Sequence, residues 1–327
     1  MTGSNMTRFE AKVAPIAVAT RSDVEESVHH GAGVALGADG ALLATVGDPD
    51  LVVYPRSCLK PMQAHAMLGL GLDLTDAQLA VACASHDGSA QHLDVVRSIL
   101  GRYDLEESDL ANTPARPRGA VARASARLAG TEPSSLQQNC SGKHAAMLAT
   151  CRVNGWTIEG YLEVDHPVQA AITTGIESLG TVVHHVGVDG CGAPTHALSL
   201  RDLAGAFARL AADGTTVATA MSTHPELVGG PTRDVTLWMQ AVANSIAKDG
   251  AAGMMVAGLA DGRAVAYKVA DGSETARQAV LPQALRAVGV DVDAMAAGTV
   301  EQVSVPVLGH GRPVGRLRAL EWTRCSS

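Results

Sequence analysis

With 327 residues, 46% of them hydrophobic and 18% charged, the chain can bury a substantial core and is not a disordered segment. A formal net charge of −8 argues against nucleic-acid binding, which needs a basic footprint to neutralise phosphates. No run approaches 18 consecutive apolar residues, and residues 1–14 lack the apolar stretch of a signal peptide, so a cytoplasmic protein with no membrane partner is expected.

Residues 1–13 read as a flexible tail and 14–327 as one domain. A strand is expected over 16–20. Strands over 27–36 and 41–46 flank the turn Gly37-Ala38-Asp39-Gly40 and form a hairpin. After Tyr54-Pro55 the spacing of apolar residues becomes helical over 57–68, with Pro61 in the first turn, where a missing N–H costs nothing. Helices follow over 76–84, 90–103, 118–128 and 141–153, the last ended by Asn154-Gly155. A helix over 167–179 precedes a valine-rich strand over 181–188. Helices are expected over 199–212, 234–247 and 274–288. Strands at 253–258 and 264–269 turn at Asp261-Gly262, and a hairpin of 303–308 with 315–320 closes the chain. Pro306 places its strand at a sheet edge. If the terminal strands meet in one sheet covered by helices, the fold is α+β, in mixed α/β layers.

Four candidates for chemistry stand out, the third drawn from two segments. In Ser57-Cys58-Leu59-Lys60 a spacing of three puts a serine and a lysine on one helical face, where a lysine of depressed pKa can serve as base to the hydroxyl. The alternative is a capping serine and a solvated lysine. Ser85-His86-Asp87-Gly88 holds all three residue types of a triad. Adjacent side chains diverge, however, so it is either a helix-capping turn or a loop presenting Ser85 to a pocket. Asn139-Cys140-Ser141-Gly142-Lys143-His144 and Asp189-Gly190-Cys191-Gly192 offer two thiols that suit Zn²⁺ but equally suit a buried structural role. Lys268, near the end of a strand, is either a guarded edge residue or a buried amine. Arg233 and Asp234 can pair with each other or line a site. The remaining cysteines, Cys58, Cys83, Cys151 and Cys325, are read as reduced thiols.

Taken in order, several runs resemble the asparaginase family typified by the Rhizobium etli type. They are Thr20-Arg21, Gly47-Asp48-Pro49-Asp50, Arg56-Ser57-x-x-Lys60-Pro61, Ser85-His86, the Cys140 and Cys191 segments, and Lys268-x-x-Asp271-Gly272. The resemblance covers about 19–320. It implies a serine β-lactamase/glutaminase-like fold, an antiparallel sheet packed with helices, and a homodimer. It also implies two serine–lysine pairs, Ser57 with Lys60 and Ser85 with Lys268, and zinc held by Cys140, Lys143 and Cys191 with Asp189 behind them. One departure is Gly250-Ala251-Ala252-Gly253, which lacks a glutamate that the family often carries.

The function expected from this is hydrolysis of L-asparagine to L-aspartate and ammonia. Ser57 would be acylated with Lys60 as its base, and Ser85 and Lys268 would relay protons; Ser85 stays open as the rival nucleophile. Arg56, His86, Asp87, Asp189 and Arg233 are the candidate substrate-binding residues, with Arg56 or Arg233 taking the α-carboxylate. Glutamine as main substrate, another serine amidohydrolase, or a zinc-binding protein without catalysis are the alternatives.

Overall fold

The computed structural model of the protein describes residues 9–212, 214–294 and 305–325. Residues 1–8 of the expected tail lie outside these, and Phe9–Lys12 form a 3-10 turn.

The strands are β1 (Ala14–Arg21), β2 (Val24–Leu36), β3 (Leu42–Val46), β4 (Val52–Val53), β5 (His185–Val188), β6 (Pro194–Ser199), β7 (Ile246–Gly250), β8 (Met254–Gly258), β9 (Ala264–Val269), β10 (Val305–Gly309), β11 (Arg312–Ala319) and β12 (Thr323–Arg324). The helices are α1 (Lys60–Gly69), α2 (Asp76–Ala82), α3 (Ala90–Arg102), α4 (Ala120–Leu128), α5 (Ser141–Asn154), α6 (Pro167–Ser178), α7 (Leu200–Ala212), α8 (Thr216–Thr223), α9 (Pro225–Val228), α10 (Asp234–Ala241) and α11 (Glu274–Ala287).

Among the described residues the main sheet runs β10-β11-β1-β2-β9-β8-β7, with β3 joining β2 to β12, and all its pairings are antiparallel. The termini meet in this sheet as expected: Ala17 stands opposite Ala319. Pro306 lies on β10, an edge strand, where a residue with no N–H to donate does least harm. A smaller sheet runs β4-β6-β5. The fold is α+β, an antiparallel sheet with helices. The helix α7 packs on β8 and β9, α11 on β9 and β11, and α1, α2, α3, α5 and α6 pack on one another. One contiguous apolar core links both parts, from Ile16 on β1 through Met62 on α1 to Leu285 on α11.

Local sequence explains the boundaries. The β2–β3 hairpin closes through the Gly37 N–H on the Ala41 carbonyl, 2.8 Å. Thr75 and Gln78 cap each other's backbone at the start of α2. At the end of α5, Gly155 adopts φ +67.

Several boundaries shift by a few residues, and three differ more in kind. The helix expected over 234–247 stops at Ala241. Val242 is extended, Asn244 turns left-handed at φ +54, and the chain enters β7, which pairs with β8 in the register Ile246 to Gly258. The strand expected over 181–188 holds only at 185–188. The helix over 57–68 begins as a 3-10 turn, Arg56–Leu59. Residues 303 and 304 of the expected last hairpin lie outside the described residues.

Candidate active site

After β4, Tyr54-Pro55 leads into Arg56, whose left-handed backbone (φ +56) swings the chain into the 3-10 turn and then α1. Lys60 opens α1 with its side chain buried. Its amine donates to Ser85 Oγ at 3.2 Å and to the Ala84 carbonyl, not to Ser57. Ser57 remains half-buried on the turn.

Ser85 follows the end of α2 in a segment that is neither helix nor strand. Its N–H donates to Val228 at 3.0 Å and the His86 N–H to Asn139 at 3.2 Å, so the segment is clamped between α9 and the start of α5. Both amides are thereby spent. Close packing of α5 on α2 depends on Gly142, where a methyl group would collide with the Val81 carbonyl.

The second amine at Ser85 comes from β7. Lys248, wholly buried, donates to Ser85 Oγ at 2.9 Å, and also to the Asp249 carbonyl and Oδ1, both at 2.7 Å. Burial brings its pKa down to about 8, with Asp249 holding it up and Lys60 pushing it down. A hydroxyl between two buried lysine amines is the centre of the site.

Lys248 is not among the residues that sequence reasoning selected. Pairing Ser85 with Lys268 requires the end of β9 to face the serine. Instead Lys268 donates to the carbonyls of Ala252 and Val269, the latter at 2.8 Å. The missed signal is Gly250-Ala251-Ala252-Gly253. A tight turn ahead of a strand implies a partner strand before it, and that strand carries Lys248.

Asp249 Oδ2 accepts from Arg233 at 2.6 Å and Arg118 at 3.3 Å. Burial alone would raise its pKa, but Lys248, Arg233, Arg277 and Arg118 hold the carboxyl well below the usual range. Arg233 NH1 also faces Asp87 Oδ1 at 3.7 Å. Gly230, at φ +148, lies so close to Asp87 that any side chain would strike its carboxylate. His86 is fully buried, bonds Ser141 Oγ at 2.9 Å and stacks on His92 with 5.2 Å between ring centroids. Burial, with His92 and Lys60 nearby, keeps the imidazole neutral, so it forms part of the wall.

A second cluster adjoins. Cys140 caps α5, Lys143 lies one turn in, and Cys191 sits in a turn closed by the Asp189 N–H on Ala193 at 2.9 Å. Lys143 Nζ meets Cys191 Sγ at 3.2 Å. A hydrogen bond from Cys191, against the opposing effect of burial, keeps Cys140 well below the usual thiol range, with Lys60 and Lys143 adding to it. Cys191 is raised by that same bond and by burial. Burial opposes the charge on Lys143, yet Cys191, Cys140 and Asp189 raise its pKa. Asp189 binds Arg56, with Nε to Oδ1 at 2.7 Å; its carboxyl is lowered despite burial by Lys143 and Arg56.

Among the described residues, no three His, Cys, Asp or Glu side chains group as a metal site. Two thiols and an amine nonetheless converge as the donor set that resemblance implied. That set fits Zn²⁺ once the lysine has given up its proton. The structure therefore brings together Lys60, Ser85, Cys140, Lys143, Asp189, Cys191 and Arg56, with Asp87 and Arg233 on the far side of Asp249.

A family profile described as L-asparaginase II matches residues 17–319, nearly the whole chain. The chain belongs to the L-asparaginase II family. Membership in this family makes it an amide-cleaving hydrolase with a small-molecule substrate. Among solved structures, a β-lactamase from Mycobacterium bovis is similar at 17% identity and a TM-score of 0.36, covering 74% of this chain and 88% of that one. No curated protein sequence matches. Among the described residues, no helix is long and apolar enough to cross a membrane.

Proposed function

We propose that this L-asparaginase II family member hydrolyses L-asparagine to L-aspartate and ammonia through an acyl-enzyme on Ser85. The observation that carries the reading is the Ser85 hydroxyl between Lys248 at 2.9 Å and Lys60 at 3.2 Å. Lys248, as the free amine, takes the hydroxyl proton while Ser85 Oγ attacks the side-chain amide carbon. The tetrahedral intermediate collapses, the C–N bond breaks, and the proton on Lys248 leaves with ammonia. Water then attacks the ester, Lys248 takes its proton, and Ser85 recovers one as L-aspartate departs. The backbone amides of Ser85 and His86 are committed elsewhere, so the Lys60 amine is the donor assigned to the developing oxyanion.

Arg56 and Asp189 make an ion pair that complements an amino acid's own charges. The guanidinium would take the α-carboxylate and the aspartate the α-ammonium. Where Zn²⁺ binds, Cys140 and Cys191 would supply thiolates and Lys143 its amine, and the ion would order that wall as a Lewis acid. The expected homodimer and cytoplasmic setting belong to this reading as proposals.

A second reading makes Ser57 the acyl carrier. Its exposure favours this, because Ser57 is half-buried whereas Ser85 is 1% exposed.

Ammonia release from L-asparagine and L-glutamine, with and without added zinc, decides between them. Ser85→Ala should cost ~10⁴ to 10⁶ in rate and Ser57→Ala far less. The reverse order would make Ser57 the nucleophile. No release from either amide by the wild type with zinc present would end the catalytic reading in favour of zinc or amino-acid binding alone.

A further inference from the structure

Three cations meet on one buried carboxylate. The Asp249 side chain is 2% exposed, and it accepts from Lys248 on Oδ1 and from Arg233 and Arg118 on Oδ2. These partners come from β7 itself and from the loops ahead of α10 and α4. From α11, Arg277 faces the same carboxylate while paired to Asp234 at 2.6 Å. Glu274 engages Arg118 at 3.2 Å, and Asp87 engages Arg233.

The groups around Lys248 leave it few ways to be held. Lys60 faces it from α1, the Cys58 and Cys83 thiols from the 3-10 turn and the end of α2, and Ser85 from the chain after α2. Both thiols are pushed up to about 12 by burial, so they bring no charge at neutral pH. Asp249 is thus the one carboxylate in contact with the amine among the described residues. Two rigid supports fix its reach: a strand on one side and two arginines on the other. Chain and side-chain oxygens of the same residue both accept from Nζ, leaving Ser85 Oγ as the third partner of an ammonium with three protons.

We propose that Asp249 is the positioning residue of the reaction: it aims the Lys248 amine at Ser85 and sets the pH at which that amine becomes a base. This rests on the Ser85–Lys248 reading above.

The chain has only five lysines, Lys12, Lys60, Lys143, Lys248 and Lys268, so a ¹³C-lysine NMR titration of the full-length protein can follow each one, with Lys248→Met as the assignment control. In Asp249→Asn the Lys248 midpoint should fall by ~1–3 pH units, the usual effect of losing an opposite charge at contact distance. Asp249→Glu should recover most of it. An unmoved midpoint in folded Asp249→Asn overturns the proposal. Should that variant not fold, the uncompensated arginines are the cause, and Asp249→Asn with Arg118→Gln relieves them; the same fall is expected there, and its absence overturns the proposal equally. Asparagine turnover adds an independent arm. The kcat of Asp249→Asn should drop ~10- to 100-fold at saturating base with KM little changed, which a merely structural loss would not separate. A wild type that releases no ammonia would defeat the reaction scheme, while the titration would still decide whether Asp249 governs Lys248.

Discussion

A lysine serves as a base only in the fraction that has lost its proton, so under the proposed mechanism the environment of Lys248 fixes when the site works. Its pKa is lowered to about 8 chiefly by burial. The sign follows directly: activity should climb as pH rises through about 8 and level off above it, read as kcat/KM for asparagine against pH. Lys248→Met should lose ~10² to 10⁴ in rate, the range for removing a general base. Lys268→Met should stay close to wild type with an unmoved profile, because that amine is bound to carbonyls of Ala252 and Val269. Lys60, Ser85, Cys140, Lys143 and Cys191 were legible because each stands in a short run of unusual chemistry. Lys248-Asp249 was not, since Lys-Asp beside a glycine looks like any surface turn. It is buried only because the 3-10 turn Arg56–Leu59, α8 and α10 pack over the β7–β8 hairpin.

At the level of elements, spacing predicted helices well where one face meets the core. It missed two of the fully buried strands. Every residue of β6 and β7 is buried, so neither strand alternates in polarity, and β6 opens with a proline that reads as loop. The run 234–247 kept a helical look past Ala241 because its alanines and valines suit either state. The contact of α2 with α5 carries a sharper consequence. Gly142→Ala gains helix propensity but drives a methyl into the Val81 carbonyl, so it should destabilise the protein by ~1–3 kcal/mol, seen as a lower Tm. Activity should suffer more than stability does, since α2 leads to Ser85 and α5 carries Lys143.

For the whole molecule, the closing of one sheet by strands some three hundred residues apart was readable from their position at the two ends of the chain. The order of strands between them was not, because register depends on partners that no local pattern names. That order leaves β7 with β8 as its strand neighbour, while the 3-10 turn, α8 and α10 cover it. The proposed general base is therefore mounted on the last rung of the ladder rather than a central one. Such a rung can come loose by breaking one row of hydrogen bonds, long before β2, held on both sides, lets go. Amide hydrogens at 246–250 should exchange faster than those at 31–36. On gentle heating, catalysis should fade while the far-ultraviolet circular dichroism is still native: the enzyme would fall silent before it falls apart.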